Sequence, residues 1–139
     1  MSDIDTLEQI ATRDADLAKA ANTTVELDPE LSANVISGLT YAFEAVLFIN
    51  GNATADFDCE LIAPAGSTGG TFVNGTGAVT DIDTEINLTA DGNDQILTLH
   101  GRFTAGDDGV AGIGWAQEVS NAGDTVVQAG SYFRLFNAT

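Results

Sequence analysis

The run Tyr41-Ala42-Phe43-Glu44-Ala45-Val46-Leu47-Phe48-Ile49 decides the fold class. Tyr41, Phe43, Ala45, Leu47 and Ile49 form one uninterrupted apolar row, and Glu44 falls on the other side. Successive side chains of a strand point to opposite faces, so a period of two predicts a strand with one face in a core. Asn50-Gly51 closes the run with a pair that favours hairpin turns. The return run places Phe57, Cys59, Leu61 and Ala63 on one face and Asp56, Asp58 and Glu60 on the other. The expectation is a hairpin built from these two runs.

The same grammar continues outward. Pro64-Ala65-Gly66 breaks the alternation, and a Gly/Ser/Thr-rich stretch runs to Gly77 with a second Asn-Gly at Asn74-Gly75. Asp81 to Leu88 reads as a strand ended by Asp91-Gly92-Asn93. Leu97, Leu99 and Phe103 alternate up to Gly106-Asp107-Asp108-Gly109. Val110 to Val119 carries Ile113 and Trp115 on one face, and Ser131 to Phe136 is the last strand. Roughly eight short strands separated by Gly, Asn and Asp turns predict an all-β fold, an antiparallel β-sandwich of jelly-roll type. No repeat of solenoid or propeller length is visible.

Residues 1–21 read differently. Ser2 and Asp5 have the spacing of a capping box, and Ile4, Leu7 and Ile10 recur at helical spacing. Acids come early and Arg13 and Lys19 late, which suits a helix dipole. The stripe is short, and an extended segment fits it as well. The expected organisation is an N-terminal arm over residues 1–21, extended or with a short helix, and a sandwich domain over 22–139.

The 139 residues, 44% of them hydrophobic, are enough for one domain with a sizeable core. Against 21 Asp and Glu stand 4 Lys and Arg, a net charge of −17. Such a surface repels phosphate backbones and anionic lipid, which argues against nucleic-acid or membrane partners. No run reaches the ~18 apolar residues of a membrane helix. Met1-Ser2-Asp3 lacks the pattern of a secretory signal, so none is expected. Cys59 is the single cysteine, which excludes an intrachain disulfide. Past Ala21 the only cations are Arg102 and Arg134. Self-repulsion of this kind destabilises a compact state in dilute buffer, and at ~1 M salt a Debye length of about 3 Å screens most of it. The composition predicts a protein that works in concentrated salt.

Little in the sequence points to catalysis. Asp56-x-Asp58-x-Glu60 and Asp81-x-Asp83-x-Glu85 each put three carboxylates on one strand face. Asp56, Asp58, Asp81 and Asp83 are the positions a Ca²⁺ would use. Neither run curls around a glycine as calcium loops do, so the expectation is a solvated outer face, and Asp107 and Asp108 are read likewise. His100 is the only histidine, and no nucleophile elbow or other catalytic spacing accompanies it. Cys59 falls on the apolar side of its strand and reads as a small buried hydrophobe. The glycine-rich stretch from Gly66 to Gly77 has neither the lysine nor the following helix of a phosphate loop, and no cofactor is expected. Five Asn-x-Ser/Thr sequons, at Asn22, Asn52, Asn74, Asn87 and Asn137, read as by-products of Asn/Thr-rich turns. On the last strand Tyr132, Arg134 and Phe136 share a face, and Phe133 and Leu135 share the other. Arg134 fits either an interface anchor or an ion pair within one sheet. Both faces are apolar-rich, as expected where one is covered by another subunit.

Several segments then resemble a widespread group of small virion proteins from tailed phages. In order they are Asn22-Thr23-Thr24 through Leu31, Thr40-Tyr41-Ala42-Phe43-Glu44-Ala45, Gly101-Arg102, Gly106-Asp107-Asp108-Gly109, Trp115-Ala116-Gln117, Ser120-Asn121-Ala122, Thr125-Val126 and Ala129-Gly130-Ser131-Tyr132-Phe133-Arg134-Leu135. The resemblance spans residues 13 to 139. It implies a β-sandwich structural component with no catalytic residues, found among head, decoration, tail and fibre proteins. Similar proteins tend to end in basic residues, whereas this chain ends Phe136-Asn137-Ala138-Thr139. With the acidic composition, that departure fits a virus of a halophilic host, such as a haloarchaeal tailed virus.

The resulting expectation is a virion protein on the outside of the head, forming a symmetric homo-oligomer such as a trimer and docking on the major capsid protein or other virion proteins. Its interface residues would be Ile4, Leu7 and Ile10 on the arm and Tyr132, Arg134 and Phe136 on the last strand. Deletion of residues 1–20 is expected to leave a folded domain. The alternatives are a tail or fibre component, or a carbohydrate-binding module for host attachment, which needs exposed aromatics in loops. An enzyme would need a deep polar pocket around His100.

Overall fold

The computed structural model describes residues 8–73, 80–82 and 84–139, and among them every regular element is a strand. These are β1 (Glu8–Thr12), β2 (Leu17–Lys19), β3 (Glu26–Val35), β4 (Thr40–Asn50), β5 (Phe57–Ile62), β6 (Thr68–Val73), β7 (Thr80–Asp81), β8 (Ile86–Leu88), β9 (Asp94–Thr104), β10 (Gly109–Gln117), β11 (Thr125–Val127) and β12 (Tyr132–Asn137). They form two antiparallel sheets packed face to face. The larger runs β1-β12-β4-β9-β6-β7, with β11 pairing both β4 and β2, and the smaller runs β3-β10-β5-β8. The antiparallel sandwich predicted by the alternation is the observed fold.

Strand β4 is the keel. Tyr41, Phe43, Ala45, Leu47 and Ile49 are buried, and the residues between them face outward. The core between the sheets also holds Phe57, Cys59, Leu61, Leu97, Leu99, Phe103, Ile113, Trp115, Phe133 and Leu135. Phe57 stacks on Trp115 and Tyr41 on Phe103, each with ring centroids 5.7 Å apart. Such pairs add specificity to the burial that drives the fold.

Three expectations about the chain path are corrected. The runs 41–49 and 57–63 do not form a hairpin: β4 lies in the larger sheet and β5 in the smaller. Both hydrogen-bonding edges of β4 are taken, one by β9 along its whole length and the other by β12 and β11. The chain therefore crosses at 51–56, where the Asn52 carboxamide accepts from the backbone N–H of Thr54 and Ala55. Asp81 to Leu88 is not one strand but two short ones, β7 and β8, in different sheets. The glycine-rich Thr68-Gly69-Gly70-Thr71, to which the alternation assigns no strand, is part of β6 and pairs with β9. The turn expected at Asn74-Gly75 lies outside the described residues.

From Glu8 the N-terminal segment is extended, one of the two forms expected of it, and it is part of the larger sheet: β1 pairs β12 and β2 pairs β11. Gln9 and Arg13 point inward and join this edge to β3 of the opposite sheet. The Gln9 side chain donates to the Asn34 carbonyl at 2.8 Å and accepts from its N–H at 3.3 Å. Arg13 is 6% exposed, and its guanidinium lies 2.7 Å from Asp28 Oδ1 and 2.6 Å from Glu30. Trp115 Nε1 donates to the other Asp28 oxygen at 3.1 Å. Asp28-Pro29-Glu30 lies where the pairing of β3 with β10 shifts register between Gly112 and Gly114. An edge strand with an irregularity is where a proline fits a sheet. Deleting residues 1–20 therefore strips two strands and both seam contacts rather than a free arm. Ile4, Leu7 and the capping pattern at Ser2 lie outside the described residues.

Candidate functional site

The outward side chains of the larger sheet follow from its register. Ile10 lies opposite Arg134, Arg134 opposite Glu44 and Glu44 opposite His100, which gives one row across β1, β12, β4 and β9. On one side of it runs Thr12, Tyr132, Val46 and Thr98. On the other runs Glu8, Phe136, Ala42, Arg102 and, on β6, Gly70. Beyond Val46, Phe48 pairs with Ile96. Ile10 and Ile96 are 58% and 61% exposed, and Val46, Phe48, Tyr132 and Phe136 are half-buried. The face combines exposed apolar side chains with few charges.

Those charges largely answer one another. The Arg134 guanidinium sits 3.4 Å from Glu8 and 3.5 Å from Glu44, and its carbon lies 4.7 Å above the Phe136 ring. The Tyr132 hydroxyl donates to Glu44 at 3.1 Å, and desolvation together with that carboxylate raises the phenol's pKa. His100 Nδ1 approaches Glu44 at 4.0 Å. Ile10, Thr12, Tyr132 and Arg134 line a groove of about 330 Å³. On the outward positions of β1, β12, β4 and β9 stand Glu8, Glu44 and Asp94 beside Arg102 and Arg134, and Asp81 continues the row past Gly70 on β7. A molecule of charge −17 thus presents one broad sheet face that is close to neutral.

The structure brings Ile10, Tyr132, Arg134 and Phe136 side by side. Arg134 pairs with Glu8 and Glu44 within the sheet and stands on its outer face. Sequence reasoning missed Val46, Phe48, Ile96 and the central Glu44. Each is unremarked on its own strand, and only the strand order gathers them.

Among the described residues the carboxylates weighed for calcium do not converge. Asp56 takes φ +56° and accepts from the Ala90 N–H at 2.9 Å, Asp81 is exposed on β7, and Asp83 is outside the described residues. Among the described residues no group of three acidic, histidine or cysteine side chains is gathered as a metal would require. Asp58 corrects the expectation of a solvated row: it is 5% exposed, and its Oδ1 has no hydrogen-bond partner. Cys59 is fully buried, and desolvation drives its thiol pKa up, leaving no reactive thiolate. Trp115 and Tyr41 lie in the core, where neither can stack on a sugar.

No protein-family profile matches the chain, and no curated protein does. Among solved structures the fold is similar to the Eiger TNF of S. frugiperda at 7% identity, with a TM-score of 0.54, covering 96% of this chain and 92% of that one. The tripod from the baseplate of bacteriophage Tuc2009 matches at 9% identity and a TM-score of 0.43, over 96% of this chain and 65% of that one. VP2 of infectious bursal disease virus matches at 12% identity and a TM-score of 0.25, over 92% of this chain and 38% of that one. At 7% identity the likeness to the Eiger TNF speaks to the fold alone, a two-sheet sandwich of jelly-roll type.

Proposed function

We propose that this chain is a structural protein of a tailed virus particle, placed on the outside of the head, which acts by adhesion rather than catalysis. The outer face of the larger sheet meets further copies of the chain, and the resulting oligomer docks on the shell. One observation carries the reading: the near-neutral, apolar face of β1, β12, β4 and β9 on a molecule otherwise covered in carboxylate. Copies of a −17 chain repel one another in every orientation that brings acid to acid, and this face lets them touch. Exposed isoleucines, with Tyr132, Phe136 and Arg134 behind them, are the residue types that anchor interfaces. The resemblance of residues 13–139 to virion proteins supplies the setting, and the acidity supplies the concentrated salt.

Sedimentation of the purified chain in molar NaCl tests the reading. An oligomer is expected, and Ile96→Asp, which puts a charge on an exposed position without touching the core, should leave monomers of unchanged melting temperature. A wild-type chain that stays monomeric at micromolar concentration, or an Ile96→Asp variant that associates as well as wild type, overturns it. Locating the chain in density maps of intact particles tests the virion assignment separately.

A further inference from the structure

The chain has four Lys and Arg cations, and three of them pair or hydrogen-bond within it. Arg13 has Asp28 and Glu30, and Arg134 has Glu8 and Glu44. Lys19 donates to the Trp115 carbonyl at 2.6 Å with its nitrogen 4.4 Å from the indole centre. Arg102 has no such partner. It is exposed on β9 and makes no hydrogen bond or ion pair with any described residue. With 21 carboxylates on the chain, a guanidinium that pairs with none of the described ones is the exception that calls for a cause.

The register supplies the local reason. The residues opposite Arg102 are Ala42 on β4 and Gly70 on β6, and neither has a side chain that can reach it. Asp81 lies opposite Gly70 on β7, two strands away and so roughly 10 Å distant. Arg102 therefore rims an open cleft of about 560 Å³, lined with His100 by Ala42, Gly69, Gly70 and Gly101. The cleft is not a position left small by chance. Gly69 has φ +144°, and a Cβ there would run into the Arg102 carbonyl oxygen. The floor stays bare while β6 pairs this closely with β9.

We propose that Arg102 is the charge anchor of self-association: its guanidinium takes a carboxylate of the neighbouring copy, which enters the glycine-floored cleft. The proposal rests on the self-association reading above and names the contact that gives it register. The occupant follows from charge. An apolar partner would bury the guanidinium unpaired, at a heavy desolvation penalty. A basic partner would be repelled here and drawn to the acidic remainder of the surface. A second copy brings the carboxylates the cleft requires, and the planar fork of arginine binds a carboxylate with two parallel hydrogen bonds.

The test is sedimentation equilibrium in molar NaCl, where general repulsion between copies is screened. It compares wild type, Arg102→Ala, Arg102→Lys and Ile96→Asp. Arg102 is exposed and pairs with no described residue, so its variants should melt like wild type as monomers. Arg102→Ala should weaken association on the order of 100-fold, the scale for truncating one partner of an interfacial charge pair. Arg102→Lys should recover only part of this, because an ammonium lacks the fork. If Ile96→Asp dissociates the oligomer while Arg102→Ala and wild type associate equally, the anchor is overturned and the self-association face stands. If wild type is monomeric, both fall together.

Discussion

Asp58 lies on a strand face that the sequence marks as solvated, yet it is almost fully enclosed. On β5 it pairs with Ala116 of β10 and Asn87 of β8, so strands flank it on both sides. Desolvation raises its pKa to about 6, and Glu85, Glu118 and Asp56 push the same way. A raised carboxyl pKa means the folded state holds a proton that the unfolded chain has already lost. The fold is therefore unburdened by this group below about pH 4, and the penalty grows as pH rises through 6. Asp58→Asn removes the titrating group at nearly constant volume. The variant should be more stable than wild type at pH 8 by roughly 1–3 kcal/mol. The gap should nearly close by about pH 3.5, below the unfolded pKa, as read from urea unfolding at both values. Equal stability differences at the two pH values would show that Asp58 is not the titrating group. Taking the variant against wild type at each pH also cancels the change in overall charge repulsion.

At the scale of elements, the strands legible in the sequence are those whose two faces meet different surroundings. β4, β9 and β12 alternate strictly because one side meets the core and the other does not. β10 is buried on both sides from Ala111 to Gln117, and its glycines and alanines hide the period. β6 shows no alternation through Gly69-Gly70, since what places it is backbone pairing with β9. β1 misled the reading most. Ile4, Leu7 and Ile10 suggest a helical stripe, but from Glu8 onward the period is two, with Gln9 and Ala11 turned inward and Ile10 outward. Nothing local in Arg13 announces that it meets Asp28 and Glu30 across the sandwich seam. That contact fixes the corner between β1 and β2, and its guanidinium also donates to the Ala15 carbonyl at 3.0 Å. Arg13→Ala leaves the buried Asp28 with the Trp115 indole and the Glu30 N–H as donors, and with Lys19, packed over Trp115, as the remaining nearby cation but no ion-pair partner. The expected loss is about 3–5 kcal/mol. Hydrogen exchange should show it first as faster exchange in β1 and β2. A loss below 1 kcal/mol would mean that the seam is held by Gln9 and the strand pairing instead.

On the scale of the whole molecule, the charge pattern sets the sign of its response to salt. An oligomer held mainly by exposed ion pairs loosens as ionic strength rises. This chain carries −17 and offers a near-neutral face, so long-range repulsion between copies is the larger electrostatic effect and apolar contact the larger attraction. Between ~0.1 M and ~1 M NaCl the Debye length falls from about 10 Å to about 3 Å. That removes most of the repulsion and leaves direct contacts, including a desolvated Arg102 pair, largely intact. Association should therefore tighten with salt, and the thermal midpoint of the monomeric Ile96→Asp variant should rise over the same range, because repulsion within one copy is screened too. The two responses separate what is intrinsic to the fold from what belongs to assembly. A midpoint independent of salt would remove the argument from composition. An association that weakens in molar NaCl would show that charge pairs, rather than the apolar rows of β1, β12, β4 and β9, hold the copies together.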